Sequence, residues 1–161
     1  MDVGDEAPDF ALPAEDGTPV RLSTLLVEGP VVLFFYPRAM TPGCTQESCM
    51  FRDRAADFSA LGAKRVGISL DSVGRQQRFQ AKHGLDFPLL SDKGGAVAKQ
   101  YGVKRPGLPF AKRVTFVIGQ DRRVMARIAS EFDIDQHGQQ ALAVLGDNAG
   151  HADNAGHAGD A

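Results

Sequence analysis

The sequence predicts an α/β sandwich with a mixed central sheet flanked by helices, and three observations predict it. Val31-Val32-Leu33-Phe34-Phe35-Tyr36 and Arg65-Val66-Gly67-Ile68-Ser69-Leu70 are near-continuous apolar runs of strand length, the pattern of strands covered on both faces. Stretches of helical spacing follow each of them. Val114-Thr115-Phe116-Val117-Ile118 and Val124-Met125-Ala126-Arg127-Ile128, joined by Gly119-Gln120-Asp121-Arg122-Arg123, read as a hairpin added to the sheet.

In chain order, Asp9-Phe10-Ala11-Leu12-Pro13 and Pro19-Val20-Arg21-Leu22 flank the turn signal Glu15-Asp16-Gly17 and predict a first short hairpin. Ser23 is placed to N-cap a brief helix ending at Leu26. The strand over residues 31–36 stops at Pro37. A helix is expected over residues 44–61, with Phe51, Ala55, Phe58 and Leu61 on its apolar stripe. Asp71 or Ser72 caps the next helix, which stops near Gly84. Phe87-Pro88-Leu89-Leu90 is a short extended piece, and a helix over 96–101 ends at Gly102. Residues 107–110 form a loop, and a last helix from about 135 to 145 closes a domain spanning residues 1–146.

Residues 147–161 differ in kind. Asp147-Asn148-Ala149-Gly150-His151-Ala152 recurs as Asp153-Asn154-Ala155-Gly156-His157-Ala158, with no large apolar residue. Such a repeat buries too little surface to offset its ordering entropy, which predicts a disordered low-complexity tail. Its histidines and aspartates read as a solvated stretch rather than a metal site.

Composition excludes several function classes. The 43% hydrophobic and 24% charged residues fit a globular domain, and a net charge of −2 provides no basic surface for nucleic acid or an anionic membrane. The longest apolar run is far too short to span a bilayer. The acidic start, Met1-Asp2-Val3-Gly4-Asp5-Glu6, lacks the pattern of a signal peptide, so a cytoplasmic location and reduced resting cysteines are expected.

The chemistry points to Cys44. Only two cysteines are present, Cys44 and Cys49, five positions apart in one expected helix, which argues for redox chemistry rather than a stapled scaffold. A thiol at a helix N-terminus sits among unpaired N–H groups that favour the attacking thiolate. The polar Thr41-Pro42-Gly43 turn is expected to leave Cys44 exposed, whereas Cys49 taken alone fits a small buried hydrophobe. Thr41 is placed to donate its hydroxyl to the thiolate and to a peroxide oxygen, and Pro37 and Pro42 fix the backbone around the site. The missing cation is best supplied by Arg113, on the face of its strand shared by Thr115 and Val117. Spacing alone reads Lys112-Arg113 as a solvated basic pair.

Pro37-x-x-x-Thr41-x-x-Cys44 resembles the active-site motif of the peroxiredoxins. The longer string from Thr41 through Cys49, continuing into Phe51-Arg52-Asp53, is similar to the subfamily called bacterioferritin comigratory protein or peroxiredoxin Q. The similarity covers most of residues 2–146, including Gly4-Asp5-x-Ala7-Pro8-Asp9-Phe10, Pro88-Leu89-Leu90-Ser91-Asp92 and Arg113-x-Thr115-Phe116-Val117-Ile118. The resemblance implies a thioredoxin-like fold and a thiol-dependent peroxidase acting on hydrogen peroxide and organic hydroperoxides. It implies Cys44 as peroxidatic and Cys49 as resolving cysteine, joined in an intramolecular disulfide, with Pro37, Thr41 and Arg113 around the sulfur. Thioredoxin or a similar dithiol would be the reductant, no cofactor or metal is needed, and the chain would be a monomer or weak homodimer. Glu47 matches a family position, although a carboxylate one turn from a thiolate opposes its charge unless Arg113 engages it. Gly119 stands where the family usually has aspartate, and the 107–112 loop is idiosyncratic.

Geometry adds a requirement. Residues five apart on an intact α-helix have Cα atoms roughly 8–9 Å apart, beyond the limit of about 7 Å for a disulfide. The helix start is therefore expected to unwind in each turnover. Three rivals stand beside the peroxidase. A thiol–disulfide oxidoreductase would normally read Cys-x-x-Cys, a peroxide sensor would pass its disulfide on without sustained turnover, and a binding domain would carry its thiols incidentally.

Overall fold

The computed structural model describes residues 1–148 in full, and follows the last helix to its end without describing side chains beyond Asn148. α6 continues past its expected end near residue 145, and the side chains of the expected tail lie, apart from residues 147 and 148, outside the described residues. Among the described residues, seven strands and six helices follow in the order β1 (Ala11–Pro13), β2 (Pro19–Arg21), α1 (Leu22–Leu26), β3 (Val31–Phe35), α2 (Pro42–Asp53), α3 (Ala55–Ala60), β4 (Lys64–Ser69), α4 (Val73–His83), β5 (Leu89–Ser91), α5 (Ala96–Gln100), β6 (Val114–Ile118), β7 (Val124–Ala129) and α6 (Ile134–Asp160). β1 and β2 form the separate hairpin. The central sheet has the order β5-β4-β3-β6-β7, with β3, β4 and β5 parallel and β6 and β7 antiparallel. Mixed pairing follows from the connections. Helices α2–α3 and α4 carry the chain back for parallel strands, while the short 119–123 turn forces an antiparallel partner.

Strict alternation divides the core. Val31, Leu33, Phe35, Val66, Ile68, Phe116 and Ile118 face one layer with α1, α5 and the first hairpin. Val32, Phe34, Val117, Ala126 and Ile128 face the other, beneath α2, α4 and α6. Gly67 makes the second layer possible, because a Cβ there would meet Leu89 at 2.8 Å and the Phe34 ring at 2.9 Å.

Two expectations are corrected. Ser23 lies inside α1 rather than at its N-cap. Asp9 supplies the cap across the hairpin, accepting from the Ser23 amide (2.9 Å) and the Ser23 hydroxyl (2.9 Å). The helix over residues 44–61 is two helices with a break at Arg54 (φ −100°, ψ 19°), and it starts earlier, at Pro42. The break has a tertiary cause. Arg65 of β4 donates to the Phe51 carbonyl at 2.6 Å, taking the acceptor that the Ala55 amide would use to continue the helix.

Candidate active site

The carboxyl end of β3 and the start of β6 lie side by side, Phe35 opposite Val114 in the register. The chain leaving β3 is fixed at once by polar contacts from the turn after β4 and the start of α4. Asp71 accepts from the Ala39 amide (2.7 Å) and the Ser69 hydroxyl (2.6 Å), while Arg75 pairs with Asp71 (2.9 Å) and donates to the Ala39 carbonyl (2.8 Å). Gln76 links this end of the sheet by donating to Ser69 and the Leu90 carbonyl, both at 2.9 Å, and accepting from Tyr36. Met40 is held at φ 67°, a left-handed conformation unusual for a residue with a side chain. Thr41 is then the N-cap of α2, its carbonyl accepting from the Thr45 amide at 2.9 Å, and Pro42 fits the first helical position, where no N–H is needed.

Cys44 stands in the first turn of α2, where the amides of Gly43 and Cys44 have no intrahelical acceptor. Its Sγ lies 3.4 Å from Nη2 of Arg113, and Nη1 of the same guanidinium donates to Glu47 Oε1 at 3.0 Å. Gly43 admits this approach, since a Cβ at that position would come within 2.9 Å of Nη2. Glu131 supports Arg113 from the opposite side, accepting from its amide (3.2 Å) and from Arg105 (2.6 Å). Behind Glu47, fully buried His137 of α6 places Nδ1 3.7 Å from Oε2 of Glu47 and 2.7 Å from the Thr115 hydroxyl. Burial pushes the Glu47 carboxyl up to about 8, against the pull of Arg113. Burial pulls down on Arg113 as well, but Glu47 and Cys44 outweigh it and raise the guanidinium further. Burial lowers His137, a trend opposed by the Ser130 carbonyl and reinforced by the Arg113 charge.

The comparisons with known proteins agree with one another. The model of the AhpC/TSA family matches residues 3–127. A Mycobacterium tuberculosis protein named as a peroxiredoxin is 55% identical over 148 residues, covering 90% of this chain and 96% of its own. The chain belongs to the AhpC/TSA family. Within this family, the peroxiredoxin bcp of Coxiella burnetii is 40% identical over 151 residues, covering 90% of this chain and 99% of its own. The crystal structure of peroxidoxin BcpB from Mycobacterium tuberculosis superposes with a TM-score of 0.86 at 55% identity, covering 90% of this chain and 96% of that one. A structure of the Xanthomonas campestris bacterioferritin comigratory protein, described for its alkyl peroxide reduction activity, superposes with a TM-score of 0.79 at 29% identity, covering 87% and 92%. The fold is that of the thioredoxin-like peroxiredoxins, and the chain is a peroxiredoxin of the bacterioferritin comigratory protein and peroxiredoxin Q group.

This peroxiredoxin departs from its sequence reading at two points of the site. Cys44 is 1% exposed rather than open, because the tethered 36–40 turn packs against it and the Arg113 guanidinium covers it. The Thr41 hydroxyl does not donate to the sulfur. Its hydrogen goes to the Arg38 carbonyl at 2.8 Å and closes the turn. Arg113, by contrast, is 6% exposed and engaged, not a solvated cation. Glu47, Arg113 and Cys44 come together, and Pro37 lies one wall away, lining a cleft of ≈ 220 Å³ with Arg38, Leu70, Asp71, Pro109 and Phe110 of the idiosyncratic loop. Cys49 does not join them. Five positions turn it about 140° around α2, into a separate hollow of ≈ 370 Å³ with Gln46, Met50, Asp53, Arg54 and Asp135. A roomier hollow of ≈ 480 Å³ between Leu25, Arg65 and Pro88 contains none of these residues. Among the described residues no cluster of three or more His, Cys, Asp or Glu is placed to hold a metal, and no helix is long and apolar enough to cross a membrane. Sequence reading missed His137 and Glu131. His137 had a signal, being the polar member of the stripe Ile134, His137, Ala141 and Leu145 on one helix face.

Proposed function

We propose that the chain reduces hydrogen peroxide and organic hydroperoxides, with Cys44 as nucleophile and Cys49 as resolving thiol. One observation carries the reading: Arg113 stands against the sulfur of a cysteine in a helix start, its guanidinium bonded to Glu47 and its amide to Glu131. The Cys44 thiolate attacks the distal peroxide oxygen, the O–O bond breaks, and the departing alkoxide or hydroxide takes a proton to leave as alcohol or water. Arg113 and the free amides of Gly43 and Cys44 face the charge that develops there. Cys49 then condenses with the Cys44 sulfenic acid, releasing water and forming the disulfide. A dithiol of thioredoxin type restores both thiols by exchange, itself becoming a disulfide. Thr41 and Pro37 act by fixing the turn, and Glu47 by orienting Arg113.

Cys44 and Cys49 stand on different faces of an intact α2, which supports opening of the 44–49 turn during resolution. Peroxide consumption with thioredoxin, its reductase and NADPH in excess tests the assignment. Cys44→Ser is expected to abolish turnover, and Cys49→Ser to be oxidised once and then stall as a sulfenic acid that dimedone traps. Sustained turnover by Cys44→Ser overturns the nucleophile. A single turnover by the unaltered protein would instead favour a peroxide sensor.

A further inference from the structure

Helix α6 sends one polar side chain into the reactive layer, and the reading above gives it no task. Nε2 of His137 lies 2.8 Å from the Ser130 carbonyl oxygen. A carbonyl only accepts, so Nε2 carries the hydrogen, and in the neutral ring Nδ1 is the acceptor that the Thr115 hydroxyl satisfies at 2.7 Å. The same Nδ1 is 3.7 Å from Glu47 Oε2, and that oxygen is buried without a hydrogen-bond partner. A buried orphan of this kind is costly, so its nearest polar neighbour matters. A proton on Oε2 or on Nδ1 can bridge the two groups, the Thr115 hydroxyl giving up its place on Nδ1 as it forms. Glu47 is thus bonded to Arg113 through Oε1, while Oε2 faces the His137–Thr115 pair across 3.7 Å.

We propose that His137 is a positioning residue of the peroxidatic centre, holding Glu47 and, through it, Arg113 against Cys44. The inference rests on the assignment of Cys44 as nucleophile. The charged and titratable groups around the ring are Glu47 from α2, Arg113 from the start of β6, and Glu131 and Asp133 from the turn before α6. The contact also lies across the resolving step. Glu47 sits inside the 44–49 segment that has to open, so the disulfide form leaves Nδ1 without Glu47, while the Ser130 contact stays within α6 and its preceding turn.

Two amide replacements separate the two sides of the ring. Asn sets its amide near the position of Nδ1 and keeps a partner for Thr115 and Glu47, whereas Gln reaches the position of Nε2 and keeps only Ser130. Stopped-flow oxidation of Cys44 by hydrogen peroxide is expected to be slowed about tenfold or more by His137→Gln, as for loss of a buried polar contact, with most of the rate regained in His137→Asn. Equal rates in the two variants, or a slow Asn and a fast Gln, overturn the proposal and leave His137 as an anchor for Ser130. If the unaltered protein fails to consume peroxide, the nucleophile assignment falls first. A second measurement needs no variant. In protein labelled with ¹⁵N-histidine, the His137 Nδ1 resonance is expected to move between the dithiol and disulfide forms while Nε2 changes little. An unchanged Nδ1 overturns the proposal.

Discussion

The two layers on either side of the sheet are built from the same strands but to different rules. Beneath α1 and α5 the packing is aromatic and aliphatic. Phe10, Phe35, Tyr101 and Phe116 meet at 5.4–6.0 Å between ring centroids, and the main buried charge, Asp92, caps α5 by accepting from the amides of Val97 and Ala98. Beneath α2, α4 and α6, an equally dense aromatic group around Phe34 shares its layer with Glu47, Arg113, Thr115, His137, Gln76 and Ser69. Apolar packing is non-directional and tolerates small shifts. The buried polar groups have fixed partners, and each of them is stable only while its partner stays in place. The first layer is therefore built for cohesion, and the second for a fixed arrangement of polar groups around Cys44.

Breaking the first layer gives the largest expected effect. Phe116→Ala should cost about 3–5 kcal/mol of stability, read by urea unfolding, while the rate of Cys44 oxidation per folded molecule stays near that of the parent. A parallel fall in that rate would show that the layers are not separable. Next in size, Gly43→Ala puts a methyl group against Arg113 Nη2 and should slow peroxide attack about tenfold, roughly 1.4 kcal/mol, with little loss of stability. An unaffected rate would mean that Arg113 yields without consequence.

A smaller effect sharpens the comparison through pH. The folded protein holds the Glu47 proton up to about 8, well above the ordinary carboxylate value of the unfolded chain. Its contribution is complete at low pH and lost as pH rises through about 8. His137 has the opposite sign, being lowered, and its effect is confined to pH below the ordinary histidine range of about 6.5. Between about pH 6.5 and 8 the melting temperature of the reduced protein should therefore fall by a few degrees, and Glu47→Gln should flatten that slope. The smallest effect is expected from deleting residues 147–161. Leu145 is the last described residue of the buried α6 stripe, so activity and melting temperature should hardly move. A clear loss of either would show that the repeat docks on the domain.

What was legible in the sequence divides along the same line. Strands β3, β4 and β6 could be read because apolar runs admit few other structures, and alternation alone set Arg113 on the face of Thr115 and Val117. The features that escaped are all made by residues distant in sequence. Cys44 is covered by Arg113, 69 positions away, and α2 ends where Arg65 takes the Phe51 carbonyl. Thr41 carries a hydroxyl at the spacing a thiolate donor would need, but a nearer carbonyl claims it. His137 looked like an ordinary helix residue until its stripe was seen to face Glu47.

The interruption at Arg54 has a mechanical consequence. A continuous helix over residues 42–60 would transmit any unwinding at Cys44 toward Phe58 and the sheet it rests on. Here the Phe58 amide begins a new ladder on the Arg54 carbonyl, and the Arg65 guanidinium clamps Phe51 at the joint. The unwinding proposed for resolution would thus be confined to a fuse of about three turns, with α3 and its contact to the sheet left in place.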